Sequence, residues 1–198
     1  MYFMTSYLPR AGFVVSLALL CTEPRVHAQR RHAPDHVLLA RICVSEAGWR
    51  CWDRGDGLAI YEVLSAGAAR YGVPFATYAQ RYAPRATGVR PSVGRTLWVA
   101  QLQDNGKRPA AWPSTAPWGL YRPQWFDVLE TAEDVLSLDG SRAREWSPCV
   151  GPVHDWSSRS EPSLARASRL GLIPVNCDDS LNRFYARPSV LRTQGEMQ

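Results

Sequence analysis

Val37-Leu38-Leu39-Ala40-Arg41-Ile42-Cys43-Val44-Ser45-Glu46-Ala47, closed by Gly48, is the stretch on which the fold turns. Its apolar and strongly helix-forming content reads as one helix. Pro34 suits the first turn, since proline there sacrifices no intrahelical bond, and Gly48 is a ready stop. On a wheel of about 100° per residue with Arg41 at the origin, Ser45 falls at about 40° and Glu46 at about 140°. Ile42 at about 100° and Leu39 at about 160° flank that direction. Glu46 therefore projects from the apolar side, away from Arg41 and Ser45. It also stands in the last turn, where the helix dipole disfavours negative charge. Desolvation and dipole both favour its protonated form, and a carboxyl held protonated near neutral pH is what a general acid needs. The competing reading is a Glu46 that reaches water or pairs with Arg50.

Further along, the pattern stays helical. A second helix opens at Gly57, with Ile60, Leu64, Ala68 and Tyr71 on one side, and stops at Gly72-Val73-Pro74. Phe75 to Tyr82 is a short third, closed by Pro84, and Arg95 to Leu102 a fourth. Asp104 to Trp118 reads as loop. Pro123 is expected to start the best helix, whose buried stripe is Trp125, Val128/Leu129, Ala132 and Val135/Leu136, ending at Asp139-Gly140. Asp127, Glu130, Glu133 and Asp134 fall on its solvated face. Ser163 to Leu170 is a last short helix before Gly171. No run alternates long enough for a strand of real length. The fold class expected is mainly α: a single globular domain stapled by disulfides, with little or no sheet.

The 198 residues suit one domain. With 45% apolar and 21% charged residues, the chain is neither a disordered tail nor a coiled coil. Met1 to Ala28 reads as a secretory signal peptide. Arg10 gives the positive region, Ala11 to Leu20 the apolar core, and Val26-His27-Ala28 the small residues before the cut. Cleavage there removes Arg10, Arg25 and Glu23 and lowers the net charge from +5 by one. Residues 29–36 follow as a flexible lead-in, 37–190 as the folded domain and 191–198 as a flexible tail. The expected location is secreted or periplasmic, with no integral membrane segment left after cleavage.

Cysteine use agrees with export. Once Cys21 leaves, Cys43, Cys51, Cys149 and Cys177 remain, an even number that reads as two disulfides. Three pairings are possible; Cys43–Cys51 with Cys149–Cys177 is favoured because each closes a local loop. No Cys-x-x-Cys or His-x3-His spacing supports zinc, so no metal and no cofactor is expected. A Gly-x-Ser-x-Gly elbow, a His-Glu-x-x-His helix and a phosphate-cradling Gly loop are all missing from the sequence. Basic residues are spread along the chain without a stripe, which argues against nucleic acid.

Asp53 and Asp56 are the candidates for a second acid, since they follow Cys51 closely; Asp56 reads equally as the N-cap of the second helix. The 8 Trp and 8 Tyr either fill the core or line a sugar-binding cleft. His154-Asp155-Trp156 and Asn182-Arg183-Phe184-Tyr185 mix polar and aromatic groups in the way that sugar contacts require.

Leu39 to Ala47 resembles the opening helix of the cell-wall hydrolases typified by the spore-cortex-lytic enzyme SleB, where an apolar helix ends in Glu-Ala. Gly57 to Leu64 looks like the next helix of that family, Trp125 to Gly140 is similar to a later one, and Phe184-Tyr185 with Pro188 to its closing aromatic segment. Ser65 and Ala66 stand where the family has Asn-Arg, Gly48-Trp49 stand where it has another residue and then Gly-Glu, and its late His is replaced. The resemblance implies a lysozyme-like domain that cleaves peptidoglycan glycan strands, as a lytic transglycosylase or muramidase, with Glu46 as catalytic acid. It implies a substrate cleft for glycan strands, to which Trp49, Trp52, Trp118, His154, Asn182 and Tyr185 are candidate contributors; peptidoglycan glycan strands are the expected partner, and the chain itself is expected to be a monomer. The alternative from a different class is a non-catalytic exported module that binds wall glycan.

Overall fold

In the computed structural model the quoted stretch is helix α1 (Asp35–Ala47), and it is buried on almost every side, with each residue from Val37 to Val44 out of solvent. A helix apolar all round belongs in the centre of a domain. Helices α2 (Asp56–Tyr71), α3 (Phe75–Tyr82), α4 (Arg95–Val99) and α5 (Trp118–Ser137) all pack on α1. The structure describes residues 33–138, 142, 145–157, 160–178 and 180–188, all within one compact unit, His32–Gln198. The signal peptide 1–28, residues 29–32 of the lead-in, the tail 191–198 and the Asp139-Gly140 helix end lie outside the described residues. Asp35 and His36, read as lead-in, instead begin α1.

Burial of α1 from Val37 to Val44 overturns one premise of the wheel. Arg41 is 8% exposed and not on a solvated side. Its guanidinium donates through Nε at 2.7 Å, and through Nη2, to the carbonyl of Leu102. Burial lowers its pKa to about 10, so it stays a cation, satisfied by the turn that leaves α4.

Two helix boundaries and one facing residue also differ from the sequence reading. α5 starts at Trp118, not at Pro123, which lies inside it. The bond that Pro123 cannot make would go to the carbonyl of Gly119, an exposed residue whose carbonyl water can serve. The stripe of Trp125, Val128, Leu129, Ala132 and Val135 is buried as expected, while Leu136 is half-buried. α4 ends at Val99, three residues short of Leu102. In α2, Ile60, Leu64 and Ala68 are buried, but Tyr71 is 56% exposed, next to the stop at Gly72.

The chain then runs β1 (Asp155–Ser157), α6 (Glu161–Arg169), β2 (Ile173–Val175) and β3 (Arg183–Ala186). The strands form one antiparallel sheet in the order β1-β3-β2, pairing Trp156 with Phe184 and Pro174 with Tyr185. Three or four residues are too few for alternation to reveal, so the expectation of little sheet holds while its site went unread. Two disulfides join Cys43 to Cys51 and Cys149 to Cys177, the favoured pairing. They close loops of 8 and 28 residues, which by chain entropy is worth about 2.5 and about 3.6 kcal/mol. Among the described residues no helix is long and apolar enough to cross a membrane.

Candidate active site

Glu46 ends α1 because Gly48, at φ 79°, turns the chain sharply and donates its N–H to Val44 O at 3.0 Å. The Cys43–Cys51 bond then pins the returning loop against α1. Glu46 lines a cleft of about 630 Å³. Tyr82 at the end of α3, the loop from Ala83 to Pro91 and Thr96 of α4 supply the other walls. Within that lining Glu46 is the one carboxyl.

Burial pushes the Glu46 pKa above the ordinary carboxylate value, and a hydrogen bond from the Trp156 side chain partly opposes that rise. Trp156, on β1, is 7% exposed, and its ring lies 4.4 Å from that of Tyr82, centre to centre. The Tyr82 hydroxyl donates to Oδ1 of Asp155, which also accepts the Trp156 N–H at 2.9 Å. Burial first, and then Asp155, push the Tyr82 phenol far up, so it remains a proton-bearing donor. Tyr82 and Asp155 thus fix the indole that touches Glu46.

What carries β1 to that place is a pair of buried carboxylates on α2. The Oε1 of Glu62 accepts the Val153 N–H at 3.1 Å, two residues before β1. Asp56 is 0% exposed. Its Oδ1 accepts from Ser180 Oγ at 2.6 Å, Asn182 Nδ2 at 3.1 Å and Asn182 N at 3.2 Å, and its Oδ2 accepts from Leu181 N at 3.0 Å. These bonds hold the turn leading into β3, the strand that pairs with β1.

The residues singled out in the sequence therefore scatter. Asp53 is exposed and pairs with Arg50 at 3.0 Å; the arginine offered to Glu46 is taken by it, in a surface pair of small worth. Asp56 neither lines the cleft nor caps α2, because Gly55 at φ 73° is the N-cap. Asn182 spends its amide on Asp56. Tyr185 is 2% exposed and shares a hydrogen bond with Ser157 at 3.1 Å. His154, half-buried, donates its N–H to Tyr185 O at 2.8 Å, extending the sheet.

The three tryptophans also face elsewhere. Trp49 stacks on Trp98 at 5.6 Å and 17°, beside Trp112 and Tyr121. Trp118 meets Trp112 edge-on at 4.8 Å and donates its indole N–H to Gly106 O at 3.1 Å. Trp52 donates to Val128 O at 3.1 Å and lies over Gly57. None of the three lines the Glu46 cleft. Among the described residues all four cysteines are bonded, so none of them is a free thiol.

The residues the sequence reading missed are Tyr82, Arg85, Arg90 and Thr96. Trp156 and Asp155 were noticed only as part of a polar and aromatic triplet. Nothing local links positions 46, 82 and 156; only the packing of α3 and β1 does. Among the described residues no group of three or more His, Cys, Asp or Glu is placed to hold a metal ion. No protein-family model, curated protein or solved structure matches this chain.

Proposed function

We propose that this chain is an exported enzyme that cleaves the glycan strands of peptidoglycan, with Glu46 as its single general acid and base. The observation that carries the reading is one acidic residue, its carboxyl held toward the protonated form by burial, among those lining a cleft of about 630 Å³. With no second carboxyl in that lining, the chemistry that fits is the lytic transglycosylase reaction, which uses one group twice. Glu46 gives its proton to the glycosidic oxygen between N-acetylmuramic acid and N-acetylglucosamine as the C1–O bond breaks. The resulting carboxylate takes the proton of the muramic 6-hydroxyl, whose oxygen closes on C1 to give a 1,6-anhydro ring. Water is not consumed, and the acid is regenerated. A two-carboxylate hydrolase would need Asp53 or Asp56 across the cleft, and neither lines it. The two disulfides agree with an oxidising compartment. The other reading, a non-catalytic wall-binding module, relies on open aromatic faces, and Trp49 and Trp118 spend theirs on neighbouring rings.

The test is to incubate the purified protein with peptidoglycan and identify the released muropeptides by mass spectrometry. Anhydro-muropeptides are expected, and Glu46→Gln is expected to fold and to lose at least a hundredfold in rate, within the roughly 10²–10⁴ that general acid catalysis supplies. Clearing at wild-type rate by Glu46→Gln overturns the proposal. Reducing-end products without anhydro rings overturn its single-acid form.

A further inference from the structure

The cleft holds two cations that the bond-breaking step leaves unused. Arg85 and Arg90 both line it, and both are exposed. Among the described residues neither guanidinium is taken up by an ion pair or hydrogen bond. They do not serve Glu46: a cation beside it would lower its pKa, whereas burial and the Trp156 hydrogen bond account for its shift. The loop that carries them is braced internally. Arg90 N donates to Pro84 O at 2.9 Å, Ser92 Oγ to Arg85 O at 2.7 Å and Thr87 Oγ1 to Ala83 O at 2.9 Å. Pro84 and Pro91 flank the pair, and Gly88 at φ 82° makes the bend between them. A rigid backbone thus presents two planar forks along the edge of a cleft in whose lining, among the described residues, Glu46 is the one other acidic or basic side chain. Such forks match carboxylates in bidentate, charge-assisted geometry, which the hydroxyl and amide oxygens of a neutral sugar chain do not reproduce.

We infer that Arg85 and Arg90 form a carboxylate subsite, selecting glycan strands whose muramic residues carry acidic substituents. This rests on the glycan-strand reading above. The carboxylates come from the stem peptides or, where the peptide has been removed, from the lactyl group itself.

The test is binding, which separates this inference from catalysis. In a Glu46→Gln background, co-sedimentation is measured on three probes: intact peptidoglycan, amidase-stripped strands that keep only lactyl carboxylates, and intact strands whose carboxyls have been converted to methylamides. Arg85→Gln/Arg90→Gln is expected to weaken binding to intact strands by about tenfold or more, the worth of one charge-assisted bond. It is expected to change nothing on methylamide strands. A defect on intact strands alone assigns the stem carboxylates, and one that persists on stripped strands assigns the lactyl group. Arg85→Lys/Arg90→Lys, which keeps charge and loses the fork, is expected to stay impaired. Lys107→Gln/Arg108→Gln removes the same charge outside the cleft and is expected to bind as the parent does. Parental binding by the Arg85/Arg90 variant, or an equal loss in the Lys107/Arg108 control, overturns the inference. Absence of anhydro products from the wild-type chain, with arginine-dependent binding intact, sinks the enzymatic reading and not this subsite.

Discussion

Replacing Asp56 by asparagine changes one heavy atom and should cost the fold more than the reaction. The native carboxylate receives three donors on Oδ1 and one on Oδ2, at 2.6 to 3.2 Å, with no exposure to water. Asparagine can keep its oxygen on the three-donor side, but its amide NH₂ then faces the Leu181 N–H, donor against donor. One charge-assisted bond is lost, worth about 1.5–3 kcal/mol, and a buried N–H is left unmet at about 1–3 kcal/mol. Because the two overlap, a loss of about 3 kcal/mol is expected. For a chain of this size that lowers the melting temperature by about 6–12 °C. Circular dichroism melts of wild type and variant measure it, with muropeptide release assayed well below both midpoints. At that temperature the variant should retain most of its activity, since the residues of the turn it loosens are not among those lining the cleft. A variant that melts within about 2 °C of wild type refutes the anchoring account, because even one bond is worth more. Full stability with lost activity would restore Asp56 as a second acid.

Two further outcomes follow from the same physics. The Glu46 pKa is raised by burial from its ordinary 4.5, so the native state holds that proton more tightly than the unfolded chain does. Its contribution is complete below about pH 4.5 and is lost as pH rises through the folded value. Glu46→Gln should therefore match wild type near pH 4 and exceed it increasingly toward pH 7 in thermal melts; a gap that shrinks with rising pH contradicts the burial account. At Gly57 an added Cβ would stand 2.2 to 2.7 Å from three atoms of the Trp52 ring, a ring tethered to Val128 O. Gly57→Ala is expected to lose about 1–3 kcal/mol by denaturant unfolding, and Trp52→Leu in the same chain to recover part of it; a neutral Gly57→Ala means the ring moves freely.

Much of this architecture was written in local pattern. An apolar run between Pro34 and Gly48, a stripe at helical spacing from Trp125 to Val135, and four cysteines closing short loops fix helices and staples, because capping, periodicity and loop closure act over a few residues. That Glu46 is half-buried near the end of α1 was legible for the same reason: its apolar neighbours and its place in the last turn are local facts. Local rules also set the limits. They set Arg41 away from the apolar side, since nothing near it in sequence reveals the Leu102 carbonyl 61 residues on. They began α5 at Pro123, because a missing N–H matters only where no solvent can replace it.

Which groups meet at the cleft was decided by tertiary structure alone. Asp56 and Glu62 face inward from α2 and capture backbone N–H groups 91 to 126 residues away, and that capture sets β1 and β3 against the helices. Trp156 thereby reaches Glu46, Tyr82 reaches Asp155, and Trp49 and Trp118, which read as sugar platforms, pack on neighbouring rings instead. Sequence determines what each short segment can be. Burial and hydrogen-bond satisfaction are properties of the assembled chain, and they alone determined which acid faces a cleft and which one holds the fold.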